Sequence, residues 1–338
     1  MSVETIRIIF NDEGADTYVV DDEEIEFGDI RESVEEVAGS LERLGYRTIL
    51  TPLTEEGFDE FLKEINDGRA DLVFNLCEGA FLNSKFEMNI AALLELYDLK
   101  FTGNPSITLG VALNKGWTKD ILKGTGVDTP LHFVTDDPSV ELPEGLSFPL
   151  IVKPLTEDAS LGIETDSVVH TMEELSARIE HILEEYCSHA LVERFIDGRE
   201  FNISVMGNDD ETVALPPSEI DFSEYPEELP RICSYEAKWI EVSPLYRKTP
   251  PVCPAPVSEE LKKRLEATAI RAYRALGCRD YARVDMRLDK DGNLWVLEVN
   301  PNPDISRDAG FARAARAAGM EYHQFIGELV SIAAKRYE

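Results

Sequence analysis

Apolar positions along the first hundred residues follow two periods. "TIRIIF" (5–10), "RTILT" (47–51) and "ADLVFNL" (70–76) are short apolar runs bounded by polar residues, the pattern of buried strands. Between them Val34, Val37, Leu41 and Leu44 recur at helical spacing, with Gly45 as a C-terminal stop. "FDEFLKEIND" (58–67) and "MNIAALLELYD" (88–98) read as further helices. Strand and helix alternate at βαβ spacing, which predicts an α/β unit with a parallel sheet. Ligands of such sheets sit at the carboxyl ends of the strands, here the loops "NDEG" (11–14) and "CEGAF" (77–81).

The pattern then changes. A helical stretch covers about 105–126, Pro130 leads into the strand "LHFVT" (131–135), and "FPLIVKP" (148–154) is a strand stopped by Pro154. The loop "LTEDASLGI" (155–163) precedes a strand at about 163–169, a helix from Thr171 and the strand "HALVERFI" (189–196). "REFNISVMG" (199–207) opens a third portion, with a polar, Pro-containing stretch at 216–256. A long helix over 258–277 follows, with Ser258 as N-cap and Glu259 and Glu260 in its first turn. A hairpin and a last helix (321–336) complete the chain. The prediction is α/β followed by α+β, in three units at 1–113, 114–196 and 197–338.

Composition narrows the function. The 338 residues suffice for two or three domains, and 43% hydrophobic content without low-complexity tracts is ordinary for a globular protein. Thirty-three Lys and Arg against 66 Asp and Glu give a net charge of -33. Such a surface repels phosphate backbones and anionic lipid, so neither nucleic acid nor membrane is an expected partner. An anionic ligand then has to be held by local lysines and arginines. Five scattered cysteines without C-x-x-C pairing argue against a disulfide framework or zinc site and fit a reducing cytoplasm. The first residues show no basic or apolar leader, and no apolar run is long enough for a bilayer, so a cytoplasmic protein is expected.

The densest chemistry lies in "YARVDMRLDKDGNLWVLEVNPNP" (281–303). Strand alternation puts Arg283, Asp285 and Arg287 on one face and Val284, Met286 and Leu288 on the other. "DKDGN" (289–293) is a hairpin turn. On the return strand Glu298 and Asn300 share a face, while Trp295, Leu297 and Val299 take the other. This register brings Glu298 near Arg283 and diagonal to Asp285. Carboxylates sharing one face of paired strands repel by roughly a few tenths of a kcal/mol, and a cation between them reverses the sign. Two carboxylates and a carboxamide suit Mg²⁺. Spacing alone leaves equally open a half-exposed hairpin whose outer face is merely charged. A calcium loop is excluded, because Gly292 follows Asp289 by three residues instead of five.

Taken with the rest of the chain, "ARVD…LWVLEVNPNP" resembles the metal-binding end of ATP-grasp enzymes, in the D-alanine–D-alanine ligase-like branch. "DLVFNLCEG", "NKGWTKDILKGTGVDTP", "FPLIVKP", "LVERFIDGREFNISVMG", "SYEAKW" and "AAGMEYHQFIGELVSIA" resemble the branch's other segments, in the same order over nearly the whole chain. The resemblance implies a three-domain ATP-grasp fold that uses ATP and Mg²⁺, with Mn²⁺ as the alternative ion. Lys115 and Lys153 then approach the nucleotide phosphates, and the lid "EDASLG" (157–162), with Ser160, covers them. Glu193, Phe195 and Ile196 form the adenine hinge, Glu200 meets the ribose, and Lys238 reaches the γ-phosphate. Asp285, Glu298 and Asn300 hold the metal, and Arg283 steadies an oxyanion. The implied reaction is a ligation of a small-molecule carboxylate and an amine, through an acyl phosphate, with release of ADP and phosphate. A homodimer is the family-level expectation.

The chain departs from the branch at the substrate end. Glu78-Gly79 stands where the ligases have His-Gly. In "NPDISRDAG" (302–310), Asp304 takes the place of an oxyanion-site Gly and Ala309 that of a carboxylate-binding Ser. The lid carries Asp158-Ala159 for Gly-Ser, and the loop before Arg31 lacks a Ser-Ala-Glu run, for which Glu26 or Asp29 substitutes. The nucleotide half is retained and the amino-acid pockets are rebuilt, which points to a product other than D-alanyl-D-alanine. D-Alanine–D-alanine ligase itself and a non-catalytic ATP-binding regulator are the alternatives. Asn302, Asp304 and Arg307 are the candidate substrate residues; Arg307 either binds an acceptor carboxylate or pairs with Asp308. Glu78 binds a substrate ammonium, acts as a general base, or is merely an N-cap or loop carboxylate.

Overall fold

Strand β1 (Thr5–Asn11) is almost wholly apolar because both of its faces are covered. The computed structural model describes residues 3–12, 16–20, 23–27, 30–157, 160–240 and 242–338. After β1 come an antiparallel pair, β2 (Asp16–Val20) and β3 (Glu23–Phe27), then α1 (Ile30–Arg43), β4 (Arg47–Leu53), α2 (Phe58–Ile65), β5 (Leu72–Asn75), α3 (Glu87–Leu96) and α4 (Ser106–Leu113). β4, β1 and β5 pair in that order as a parallel sheet. Helix α1 buries Val34, Val37 and Leu41 against it and ends before Gly45, whose φ of +95° suits glycine.

The helix expected over 105–126 is two helices. Asn114 is extended, and its side chain accepts from the Trp117 amide to cap α5 (Lys115–Gly124). β6 (His132–Thr135), β7 (Leu150–Pro154), β8 (Val168–Val169), α6 (Met172–Glu185) and β9 (Ala190–Arg194) follow. They form an antiparallel sheet in the order β6–β9–β7–β8, with α6 packed on it. The strand expected at 163–169 shrinks to two residues, because a tight turn at Thr165–Ser167 occupies its start.

The third sheet runs β13–β12–β10–β14–β15, with β11 also on β10. Its elements are β10 (Gly198–Met206), β11 (Val213–Ala214), β12 (Ser218–Ile220), α7 (Tyr235–Trp239), α8 (Pro244–Arg247), β13 (Pro251–Val252), α9 (Glu259–Ala275), β14 (Tyr281–Asp289) and β15 (Leu294–Asn300). Ser258 accepts from the Leu261 amide as the N-cap of α9. Four of these short elements lie in the polar stretch 216–256.

The last helices, α10 (Gly310–Ala317) and α11 (Tyr322–Lys335), pack on the first sheet. Phe311, Phe325 and Leu329 share one core with Ile6, Ile8, Val34 and Val37. The loop after β5 is thereby fastened to the β14–β15 hairpin. Asn302 Nδ2 donates to the Cys77 carbonyl (3.1 Å), and Asn104 Nδ2 donates to the carbonyls of Tyr281 (2.7 Å) and Pro301 (2.6 Å). Among the described residues no helix is long and apolar enough to cross a membrane.

The hairpin register differs from strict alternation. Asp285 pairs with Glu298 and Met286 with Val296, so Leu297 is an extra residue, a β-bulge. The bulge restores parity: Val296 and Val299 both reach the core although they are three apart, and Leu297 turns into the cavity. Glu298 therefore lies opposite Asp285 instead of diagonal to it, and Asn300 lies opposite Arg283.

Candidate active site

A cavity of about 790 Å³ opens between the second and third sheets and the loop after β5. One face of the third sheet lines it in rows. Ser204, Arg283 and Asn300 form one row, and Asn202, Asp285 and Glu298 the next. The alternate residues Phe201, Ile203, Val284 and Met286 fill the core behind.

On the second sheet, Ile151 and Lys153 of β7 face the cavity while Leu150 and Val152 pack on α6. Lys153 Nζ lies 2.6 Å from Glu193 Oε1, and Lys119 Nζ of α5 lies 2.5 Å from Glu193 Oε2. The Lys119 contact is a charge contact without good hydrogen-bond direction, since Oε2 has no directed donor. Burial pushes the Glu193 carboxyl up, but Lys119 and Lys153 outweigh it and hold the pKa down to about 2. Of the two lysines only Lys153 lines the cavity; Lys119 is buried behind it, and burial pushes its pKa down. Lys115 also lines the cavity and donates to the Glu157 carbonyl, while Lys85 pairs with the Glu157 carboxylate at 3.1 Å. Ser160 Oγ donates to the Cys233 carbonyl (3.2 Å), tying the lid segment to the strip before α7. Asp158 and Ala159 lie outside the described residues.

Phe195, Ile196 and Glu200 line one end of the cavity. Arg287, opposite Glu200 in register, donates to Glu200 Oε2 and to the Ile196 carbonyl. Lys238, on the short helix α7, enters from the side.

At the hairpin, Arg283 forks onto Asp285, Nε to Oδ1 and Nη2 to Oδ2, both at 2.8 Å. Burial opposes the guanidinium charge, and Asp285 more than offsets it, so the Arg283 pKa is raised. Asn202 Nδ2 donates to Asp285 Oδ1 (2.8 Å), and the Asn302 amide donates to Asn300 Oδ1 (2.9 Å). Among the described residues no hydrogen-bond donor or ion-pair partner reaches the Glu298 carboxylate. Asp285 and Asn300 retain lone pairs, and Glu298 retains all of its own. An all-oxygen set of two carboxylates and a carboxamide fits Mg²⁺ or Mn²⁺. Among the described residues no three His, Cys, Asp or Glu side chains could close around a metal by themselves. A site completed by ligand oxygens has this form.

Glu78, Asn302, Asp304 and Arg313 also line the cavity. Glu78 is reached by water from the cavity yet is ringed by protein atoms; this enclosure and the charge of Asp304, against Lys238, push its carboxyl up to about 7. Arg307 is a correction to the expected set. It does not line the cavity, and its Nε donates to Glu36 of α1 (2.6 Å), not to Asp308, while its guanidinium lies 4.7 Å from the Tyr322 ring centroid. The Glu26 side chain and Asp29 lie outside the described residues.

Sequence reasoning missed Lys119 and Asn202, gave Arg287 the right face but no role, and assigned Leu297 to the opposite face. Signals existed for three: Lys119 is one helical turn from Lys115, and Asn202 and Arg287 alternate with residues that were singled out. The bulge that exposes Leu297 had none.

Comparison with known proteins gives the family and the fold. Residues 132–331 match the family model described as the D-ala D-ala ligase C-terminus. The chain is 35% identical over 266 residues to the uncharacterized protein y4sG of Sinorhizobium fredii, covering 79% of this chain and 75% of that one. It is 32% identical over 285 residues to a D-alanine–D-alanine ligase of Pelotomaculum thermopropionicum, covering 81% and 83%. The fold superimposes on the D-alanine–D-alanine ligase of Bacillus anthracis complexed with ATP with a TM-score of 0.72, at 22% identity over 98% of both chains. The chain belongs to the D-alanine–D-alanine ligase family of ATP-grasp, ADP-forming carbon–nitrogen ligases.

Proposed function

We propose that this ligase joins a carboxylate to an amine other than two molecules of D-alanine. The observation that carries the reading is the meeting, in one cavity, of cations suited to a polyphosphate with carboxylates suited to a substrate amine. Lys115, Lys153 and Lys238 line it together with Glu78 and Asp304.

In this reading Phe195, Ile196 and Glu193 frame the adenine, Glu200 accepts from the ribose, and Lys115 and Lys153 hold the phosphates. Ser160 and its neighbours cover them with backbone N–H groups. Asp285, Glu298 and Asn300 hold Mg²⁺, or Mn²⁺ in its place; when bound, the ion neutralises and orients phosphate oxygens. Lys238 draws charge from the γ-phosphate. A carboxylate oxygen of the first substrate attacks the γ-phosphorus, the bond to the bridging oxygen breaks, and ADP leaves. The amine then attacks the acyl carbon. Arg283, anchored through Nε and Nη2 on Asp285, has Nη1 left to meet the oxyanion. Glu78, with its carboxyl near 7, takes the amine's proton at neutral pH, and phosphate departs as the amide forms. Asn302 and Asp304 border the acceptor. The enzyme works on small molecules in the cytoplasm, with a homodimer as the expected assembly.

Hydroxylamine trapping tests the first half. With ATP and the correct carboxylate, hydroxylamine replaces the amine and yields a hydroxamate together with one ADP. A carboxylate panel that never gives hydroxamate above the Glu298→Gln background contradicts the acyl-phosphate reading.

A further inference from the structure

Arg287 lines the cavity beside Glu200 and Ile196 and has no role of its own in the reaction proposed above. It is 3% exposed, so its donors need partners within the protein. Nε and Nη2 converge on Glu200 Oε2 at 3.0 and 2.6 Å, Nη1 donates to the Ile196 carbonyl at 2.7 Å, and Nη2 also donates to the Arg231 carbonyl. The guanidinium lies over the Phe195 ring, 5.4 Å from its centroid. One side chain thus ties β10, the segment after β9 and the loop before α7.

Cohesion alone does not call for this arrangement, because well-packed apolar residues of similar volume often replace a buried ion pair without loss of stability. The fork has a specific geometric consequence. Both of its bonds to Glu200 go to Oε2, and no donor among the described residues reaches Oε1. Glu200 is 9% exposed and lines the cavity, as do Phe195 and Ile196.

We propose that Arg287 is a positioning residue for the nucleotide: it locks Glu200 so that Oε1 faces the ribose hydroxyls, and it fixes the hinge through the Ile196 carbonyl. The inference rests on the nucleotide reading of Glu200. Charge-assisted hydrogen bonds are worth most when their acceptor cannot turn away. Loss of the lock therefore affects recognition of the ribose more than that of the phosphates.

The test is equilibrium binding of ATP, 2′-deoxy-ATP and 3′-deoxy-ATP to the wild type, Arg287→Met and Arg287→Lys, with folding checked by thermal melts. The wild type prefers ATP, and both variants lose roughly tenfold of that preference, with a smaller change in affinity for the deoxy nucleotides. Met leaves Glu200 buried and unpaired. If that variant does not fold, the Lys variant, which keeps a charge but cannot fork, decides on the same ratio. A folded variant that retains the wild-type ribose preference overturns the inference while leaving the nucleotide site intact. A wild type that binds ATP without ribose preference removes Glu200's assignment and the inference with it; one that binds no ATP removes the nucleotide reading itself.

Discussion

Glu298 stands directly across the β14–β15 ladder from Asp285, and among the described residues nothing donates to its carboxylate. Opposed like charges are unfavourable in a sheet. Because Arg283 already neutralises Asp285, Glu298→Gln should change the melting temperature little while lowering turnover by at least about 100-fold, through loss of metal-dependent charge neutralisation. Mg²⁺ titration followed by the enzyme's thermal shift in the presence of ATP gives a second readout. A variant with near-normal turnover contradicts the metal assignment.

Glu193 is a stability prediction. Replacing it with Gln leaves Lys119 and Lys153 buried without their shared counter-ion, at a cost of roughly 3–5 kcal/mol. Its folded pKa of about 2 lies below the ordinary 4.5, so its contribution is present above pH 4.5 and is lost as pH falls toward 2. Denaturation midpoints of the two proteins should differ most above pH 4.5 and converge in acid. A constant gap across that window contradicts the linkage.

Glu78 has the opposite sign. A carboxyl raised from 4.5 to about 7 favours its neutral form in the fold, so its contribution is full below pH 4.5 and is lost as pH rises through 7. Glu78→Gln should melt with the wild type at pH 4 and above it at pH 8. If Glu78 is the general base proposed above, kcat/KM has a limb that rises with pH around 7. The Gln variant should lose that limb together with about 100-fold or more in rate. A limb that survives the substitution assigns the proton to another group.

Arg307 is bonded to Glu36 and lies over Tyr322, with its side chain 51% exposed. Arg307→Ala should leave the acceptor KM unchanged and cost about 0–1 kcal/mol, the scale of an exposed ion pair. A several-fold rise in acceptor KM returns Arg307 to the substrate site.

Local pattern exposed most of this molecule because its strands are short apolar runs and its caps are explicit, as at Ser258 and Gly45. The predicted nucleotide and metal side chains converge because alternation on β7, β10 and β14 sends every second residue to one wall. What stayed hidden depends on partners distant in sequence. The packing of α10 and α11 on the N-terminal sheet brings together residues about three hundred positions apart, and no local period encodes that. The bulge at Leu297 reverses strand parity without any Gly or Pro to mark it, so strict alternation misplaced Glu298. For Arg307 the sequence offered only the neighbouring Asp308 as a partner, because Glu36 comes from another part of the chain.

The most direct measurement is phosphate release with ATP and Mg²⁺, comparing D-alanine alone with paired panels of carboxylates and amines, and with Glu298→Gln as the background. Release on D-alanine alone is expected to be negligible, with stoichiometric ADP and phosphate only when a specific carboxylate and a specific amine are both present. Rapid release on D-alanine alone, at the rate of a dedicated D-alanine–D-alanine ligase, would contradict the proposed function.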